Sequence, residues 1–107
     1  MAWTKLATLS EVPTDEVIEV EHAGNLYAIC NVGGDYRALS GVCPHQGGPL
    51  GQGNLIDGGL VCPWHAFEFD SKSGVCLIDD NLSVPVHKVK IEDAAIFVDL
   101  PEPERNA

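Results

Sequence analysis

Val17-Ile18-Glu19-Val20-Glu21, then His22-Ala23-Gly24-Asn25, then Leu26-Tyr27-Ala28-Ile29-Cys30-Asn31-Val32, decides the fold class of this chain. The first segment alternates apolar and polar residues, as an extended strand with one buried face does. The second is built of turn formers. The third is apolar almost throughout, the pattern of a strand covered on both faces. Gly33-Gly34-Asp35 then predicts another hairpin, leading into Tyr36-Arg37-Ala38-Leu39, because tight hairpin turns need the positive φ that glycine supplies without strain.

Toward the C-terminus the same grammar repeats in Val75-Cys76-Leu77-Ile78 and in Val84-Pro85-Val86-His87-Lys88-Val89-Lys90-Ile91. Glu92-Asp93-Ala94 turns into Ala95-Ile96-Phe97-Val98-Asp99-Leu100. About eight to ten short strands with no long helical period predict an all-β fold, an antiparallel β-sandwich or small barrel. One helical turn is expected near Ser10-Glu11-Val12, and residues 101–107 read as a frayed acidic tail.

The segment from Gly41 to Gly74 has a different composition. It holds Gly47, Gly48, Gly51, Gly53, Gly58 and Gly59 together with Pro44, Pro49 and Pro63. Such residues suit loops whose backbone must approach something closely. The expectation is one domain over residues 1–107, with a subdomain at about 41–74 inserted into the β scaffold and built from two loops.

Those loops carry Cys43-Pro44-His45 and Cys62-Pro63-Trp64-His65, sixteen residues apart. Each offers one thiolate and one imidazole, so together they provide a two-sulfur, two-nitrogen metal site. Structural zinc sites also use two Cys and two His, but usually pair like with like at short spacing. Here each loop pairs unlike ligands. No apolar segment follows the charged start as in a signal peptide, and without one, metal binding outweighs a disulfide framework for the four cysteines. No apolar run approaches the ~20 residues of a membrane helix, so a soluble, cytoplasmic monomer is expected.

The pattern C-x-H, sixteen residues, then C-x-x-H resembles the Rieske family of [2Fe–2S] proteins, and Asn81-Leu82-Ser83-Val84-Pro85 adds to the likeness. The resemblance implies one [2Fe–2S] cluster, with Cys43 and Cys62 on one iron and His45 and His65 on the other. Two ferric ions, two sulfides and two thiolates sum to zero charge, so an electron enters more easily than in a cluster held by four thiolates. The resemblance is nearest to the soluble ferredoxins of aromatic-ring-hydroxylating dioxygenases. It implies an electron carrier without catalytic residues of its own, docking transiently with a flavin-dependent reductase and a terminal oxygenase. The small Rieske-like subunit of NAD(P)H-dependent nitrite reductase is the alternative.

Sixteen acidic residues against six basic ones give a net charge of −10. This disfavours nucleic acid and anionic membranes and suits a partner with a basic docking patch. Cys30 and Cys76 lie within apolar runs and are expected as buried small hydrophobes, while His22 and His87 are expected at or near the surface. Gly47-Gly48-Pro49-Leu50 is expected to bring backbone close to the cluster rather than to cradle phosphate. Trp64 is open to three readings: a shield, an aromatic surface for a partner, or loop packing.

Respiratory and photosynthetic Rieske proteins carry an additional cysteine in each loop, joined as a disulfide, and hydroxyl side chains after the second histidine. At the matching positions this chain has Gly48 and Trp64, then Phe67 and Phe69. Phenylalanine donates no hydrogen bond to stabilise the more negative reduced state. No Lys or Arg occurs between Arg37 and Lys72. The midpoint potential is therefore expected near the lower end of the Rieske range, about −150 mV; potentiometry giving a value well above zero would contradict this.

Overall fold

The computed structural model describes residues 2–43, 47–64, 67–79 and 81–100. The expected tail at 101–107 lies outside them. Among the described residues, ten strands run in chain order: β1 Ala2–Thr8, β2 Val17–His22, β3 Asn25–Val32, β4 Asp35–Ser40, β5 Asn54–Ile56, β6 Gly59–Val61, β7 Glu68–Asp70, β8 Val86–His87, β9 Val89–Glu92 and β10 Ala95–Leu100. Two 3₁₀ turns, Leu9–Glu11 and Leu50–Gln52, are the helical elements of the described residues. The expected turn near Ser10 is the first. It is closed by Glu11, whose carboxylate accepts from the Thr8 backbone N–H at 2.8 Å and from its hydroxyl at 3.1 Å.

The meander read from the sequence forms the β2-β3-β4-β8 sheet, every neighbour antiparallel. Gly33 and Gly34 turn β3 into β4 with φ of 59° and 97°, the mirror-image turn geometry that matches strand twist. Because β3 is buried on both sides, this sheet serves two cores. One face contributes Ala28, Cys30 and Leu39 to a cluster with Cys43, Leu50, Leu60, Cys62, Phe69, Cys76 and Val84. The other contributes Tyr27, Ile29 and Ala38 to a cluster with Ala7, Val12, Ile96, Val98 and Leu100, which come from the β1-β10-β9 sheet and the segment after β1. Alternation along β3 and β4 separates the two sets.

The glycine-rich insertion contains its own small β5-β6-β7 sheet. Phe69 is its fully buried plug; truncating such a side chain typically costs about 3–5 kcal/mol. Polar ties fasten this sheet to the meander. Arg37 on β4 donates to Ser71 Oγ at 2.8 Å, and Ser71 in turn bonds the Gly58 carbonyl. Gly41 N–H donates to the Leu26 carbonyl at 2.8 Å, pinning the start of the first loop to β3.

Two expectations are revised. Val75 and Cys76 make only isolated bridges, to Ser83 and Phe69, and Leu77 and Ile78 turn outward, 56% and 64% exposed. Residues 84–91 are not one strand. β8 and β9 flank Lys88 and join different sheets, so the chain crosses there from the middle sheet to the outer one.

His87 is part-buried beneath Tyr27, with ring centroids 5.6 Å apart and edge-on, and its Nε2 lies 3.2 Å from Ser40 Oγ. Burial pushes its pKa down, partly offset by Asp99. The unfolded chain therefore takes up this proton at higher pH than the folded one. The contribution of neutral His87 to stability is complete above about pH 6.5 and is lost as pH falls below it. His87→Asn is expected to flatten the fall in melting temperature between about pH 7.5 and 5.5; an identical pH slope in the variant would contradict this.

Candidate metal centre

Both motif loops hang from strand ends and close in the same way. Cys43 N–H donates to the Gly48 carbonyl at 2.8 Å, and Cys62 N–H donates to the Phe67 carbonyl at 2.8 Å. Each cysteine is thus bonded to the residue five positions on, so each loop is clamped at its cysteine. In the first loop Gly47 N–H also returns to the Cys43 carbonyl at 2.7 Å. The second loop begins directly after β6 and ends at β7, so the small sheet fixes both of its ends. Sequence reading did not foresee β5, β6 or β7. Asp57-Gly58 between two short apolar runs was the available signal, and Asp57 and Gly58 take φ of 48° and 80° at that hairpin.

Of the four expected ligands, Cys43 and Cys62 are described. They are 2% and 1% exposed and lie within hydrogen-bonding reach of one another. His45 and His65 lie outside the described residues. Burial pushes the Cys62 thiol up; the Trp64 N–H works against this, and the adjoining Cys43 thiol adds to the rise. Ionising Cys62 in this setting is costly unless a cation takes the charge, a setting that fits a metal-bound thiolate.

Gly48 lies against the Cys62 sulfur. A Cβ there would stand 2.8 Å from Cys62 Sγ and 3.1 Å from the Trp64 ring, so the backbone of the first loop comes close to that sulfur. No positive φ is involved. Trp64 N–H reaches Cys62 Sγ at 3.4 Å, a donor of the kind that tunes iron–sulfur thiolates. This contact went unseen in the sequence, where Trp64 was considered only as a side chain. Phe67 and Phe69 pack as apolar residues against the same core, and neither carries a hydroxyl.

Cys30 and Cys76 are fully buried and unpaired, and no disulfide joins any of the four cysteines. Burial raises the Cys30 thiol to about 12, so it stays protonated and behaves as the small hydrophobe expected. His22 is exposed and His87 part-buried, as expected for residues outside the metal site. Buried soft donors, a glycine cradle and an N–H aimed at sulfur all fit a thiolate-ligated iron–sulfur group.

Residues 2–90 match the Rieske [2Fe-2S] domain. The chain is 35% identical over 99 residues to the 3-phenylpropionate/cinnamic acid dioxygenase ferredoxin subunit of Shigella boydii serotype 4 (strain Sb227), covering 88% of this chain and 90% of that one. Among solved structures, it superimposes with a TM-score of 0.83 and 22% identity on a chain of the complex of reduced oxygenase and oxidized ferredoxin in carbazole 1,9a-dioxygenase, covering 90% of this chain and 91% of that one. A chain named as a small subunit of NADPH nitrite reductase gives a TM-score of 0.79 at 20% identity, covering 94% and 100%. At those identities the two structures share the fold. The domain match and the ferredoxin relative, each spanning most of the chain, show that it belongs to the Rieske [2Fe–2S] family, in the branch of dioxygenase ferredoxins, with one Rieske-type cluster as its cofactor.

Proposed function

We propose that this chain is a soluble, low-potential ferredoxin that carries single electrons from a flavin-dependent reductase to the terminal oxygenase of an aromatic-ring-hydroxylating system. The observation that carries this reading is the meeting of Cys43 and Cys62, both buried, from two loops with the same closure. In it, Cys43 and Cys62 hold one iron, and His45 and His65 the other. The unit at about 41–74 is the cluster-binding subdomain of a single domain. Once bound, the cofactor supplies a one-electron couple whose reduced form carries a single negative charge.

The protein's own groups do the rest. The two buried thiolates keep the sulfur side of the site away from water. The Trp64 N–H donates to Cys62 Sγ and would stabilise negative charge on that sulfur. The phenyl groups of Phe67 and Phe69, in place of hydroxyl donors, leave that charge less compensated, which keeps the potential low. Val42 directly precedes Cys43 and Trp64 follows Cys62 by two residues, and each is 49% exposed. They offer apolar surface for small, transient contacts of less than about 1,200 Å².

The nitrite-reductase alternative has only fold-level support from its structural neighbour. The ferredoxin reading rests on a relative of higher identity over nearly the whole chain.

His45→Cys or His65→Cys is expected to lower the midpoint potential or to lose the cluster, because thiolate adds negative charge where imidazole was neutral. An unchanged potential would remove that histidine from the ligand set. Cys43→Ser and Cys62→Ser are expected to abolish the visible absorbance of the purified protein, and a retained spectrum would reassign the ligands.

Function is tested directly by reconstitution with a flavin reductase and a ring-hydroxylating oxygenase. Omitting this chain is expected to stop substrate-dependent NADH oxidation. Rising salt is expected to slow electron transfer, given the −10 charge. Turnover that persists without the chain would contradict the carrier role, and salt-independent rates would contradict charge steering.

A further inference from the structure

Gly48 and Trp64 belong to different loops, yet they meet at one sulfur. A Cβ on Gly48 would stand 2.8 Å from Cys62 Sγ, and 3.1 Å from both Cγ and Cδ2 of the Trp64 indole. Real Cβ atoms do not approach that closely to the sulfur, so a side chain at position 48 would displace either the thiolate or the ring. Gly48 is buried, whereas Trp64 is 49% exposed. The indole therefore has one face toward the first loop and another toward solvent. Its main-chain N–H bonds Cys62 Sγ at 3.4 Å, so the segment that places the ring also places the donor.

Each loop is also closed on itself. Cys43 N–H closes the first onto Gly48, and Cys62 N–H closes the second onto Phe67. Among the described residues, the contact of the indole with Gly48 runs between the loops and sits at the position where their cysteines converge. Such a contact, made of dispersion and excluded water, is unaffected by reduction.

We propose that Trp64 is a positioning residue that clamps the second loop onto the first. Its indole packs on Gly48, covers Cys62 Sγ from water and holds the Trp64 N–H on that sulfur. Gly48 is the other half of the clamp, required because only hydrogen fits beneath the ring. The clamp's role is retention of the cluster against hydrolysis and chelation. This rests on the reading of Cys62 as a ligand.

The test compares wild type, Trp64→Ala, Trp64→Phe and Gly48→Ala as purified holoproteins. Cluster loss is followed by absorbance in excess chelator, and the reduced proteins are compared by EPR. Trp64→Ala is expected to lose its cluster faster by about 10–100-fold, with a broadened EPR spectrum. Trp64→Phe, which keeps a ring over Gly48, is expected to stay near the wild-type rate and line shape. Gly48→Ala is expected to behave as Trp64→Ala does, although the tryptophan is intact. If Gly48→Ala yields no folded protein, the pair at the half-exposed position 64 decides the matter. Cluster loss from Trp64→Ala at the wild-type rate overturns the clamp, as does a Phe variant no better than Ala. A wild-type protein without a mixed-ligand [2Fe–2S] spectrum instead overturns the ligand assignment.

Discussion

Two thiols buried side by side are the constraint around which this fold is arranged. Cys43 and Cys62 come from separate loops and end 2% and 1% exposed, next to one another. Without a cation, ionising Cys62 is opposed by burial and by the Cys43 thiol beside it. With one, the same burial strengthens the metal–sulfur attraction, because the surroundings screen it poorly. The neighbouring structure serves to bring these two atoms together and hold them there.

The middle sheet makes this possible by being apolar on both faces. One face rests on the β1-β10-β9 sheet and closes the scaffold core, while the other supplies the floor on which the two cysteine loops fold. Arg37 and Ser71 fasten the small β5-β6-β7 sheet to that floor, and β6 and β7 then set the span of the second loop. Position is thus passed from the meander to the insertion and from the insertion to the sulfur atoms.

The meander was legible because three local signals agreed: alternation in residues 17–21, turn formers at 22–25 and at Gly33-Gly34, and an apolar run between them. The two cysteine loops could be singled out because cysteine and histidine at those spacings have few other uses, and their ligand role is the proposal built on that spacing. β1 was missed for want of any such local signal, since its partner β10 lies at the other end of the chain. β5, β6 and β7 are three residues each and buried in glycine-rich sequence, too short for periodicity to register. Residues 75–78 misled in the opposite direction. Their apolar side chains are split between the core, at Cys76, and solvent, at Leu77 and Ile78, so apolar composition did not imply a strand. The matched closure of the two loops is a backbone property that no residue type announces. The ligand role of His45 and His65 still rests on their spacing.

That role is also where the account is most directly tested. The measurement is nitrogen hyperfine spectroscopy on the reduced protein, with histidine labelled with a nitrogen isotope. The account predicts coupling from two imidazole nitrogens to the cluster electron, with one lost when His45 is replaced and the other when His65 is replaced. A reduced cluster with no coupled imidazole nitrogen, or one unaltered by both replacements, would contradict it.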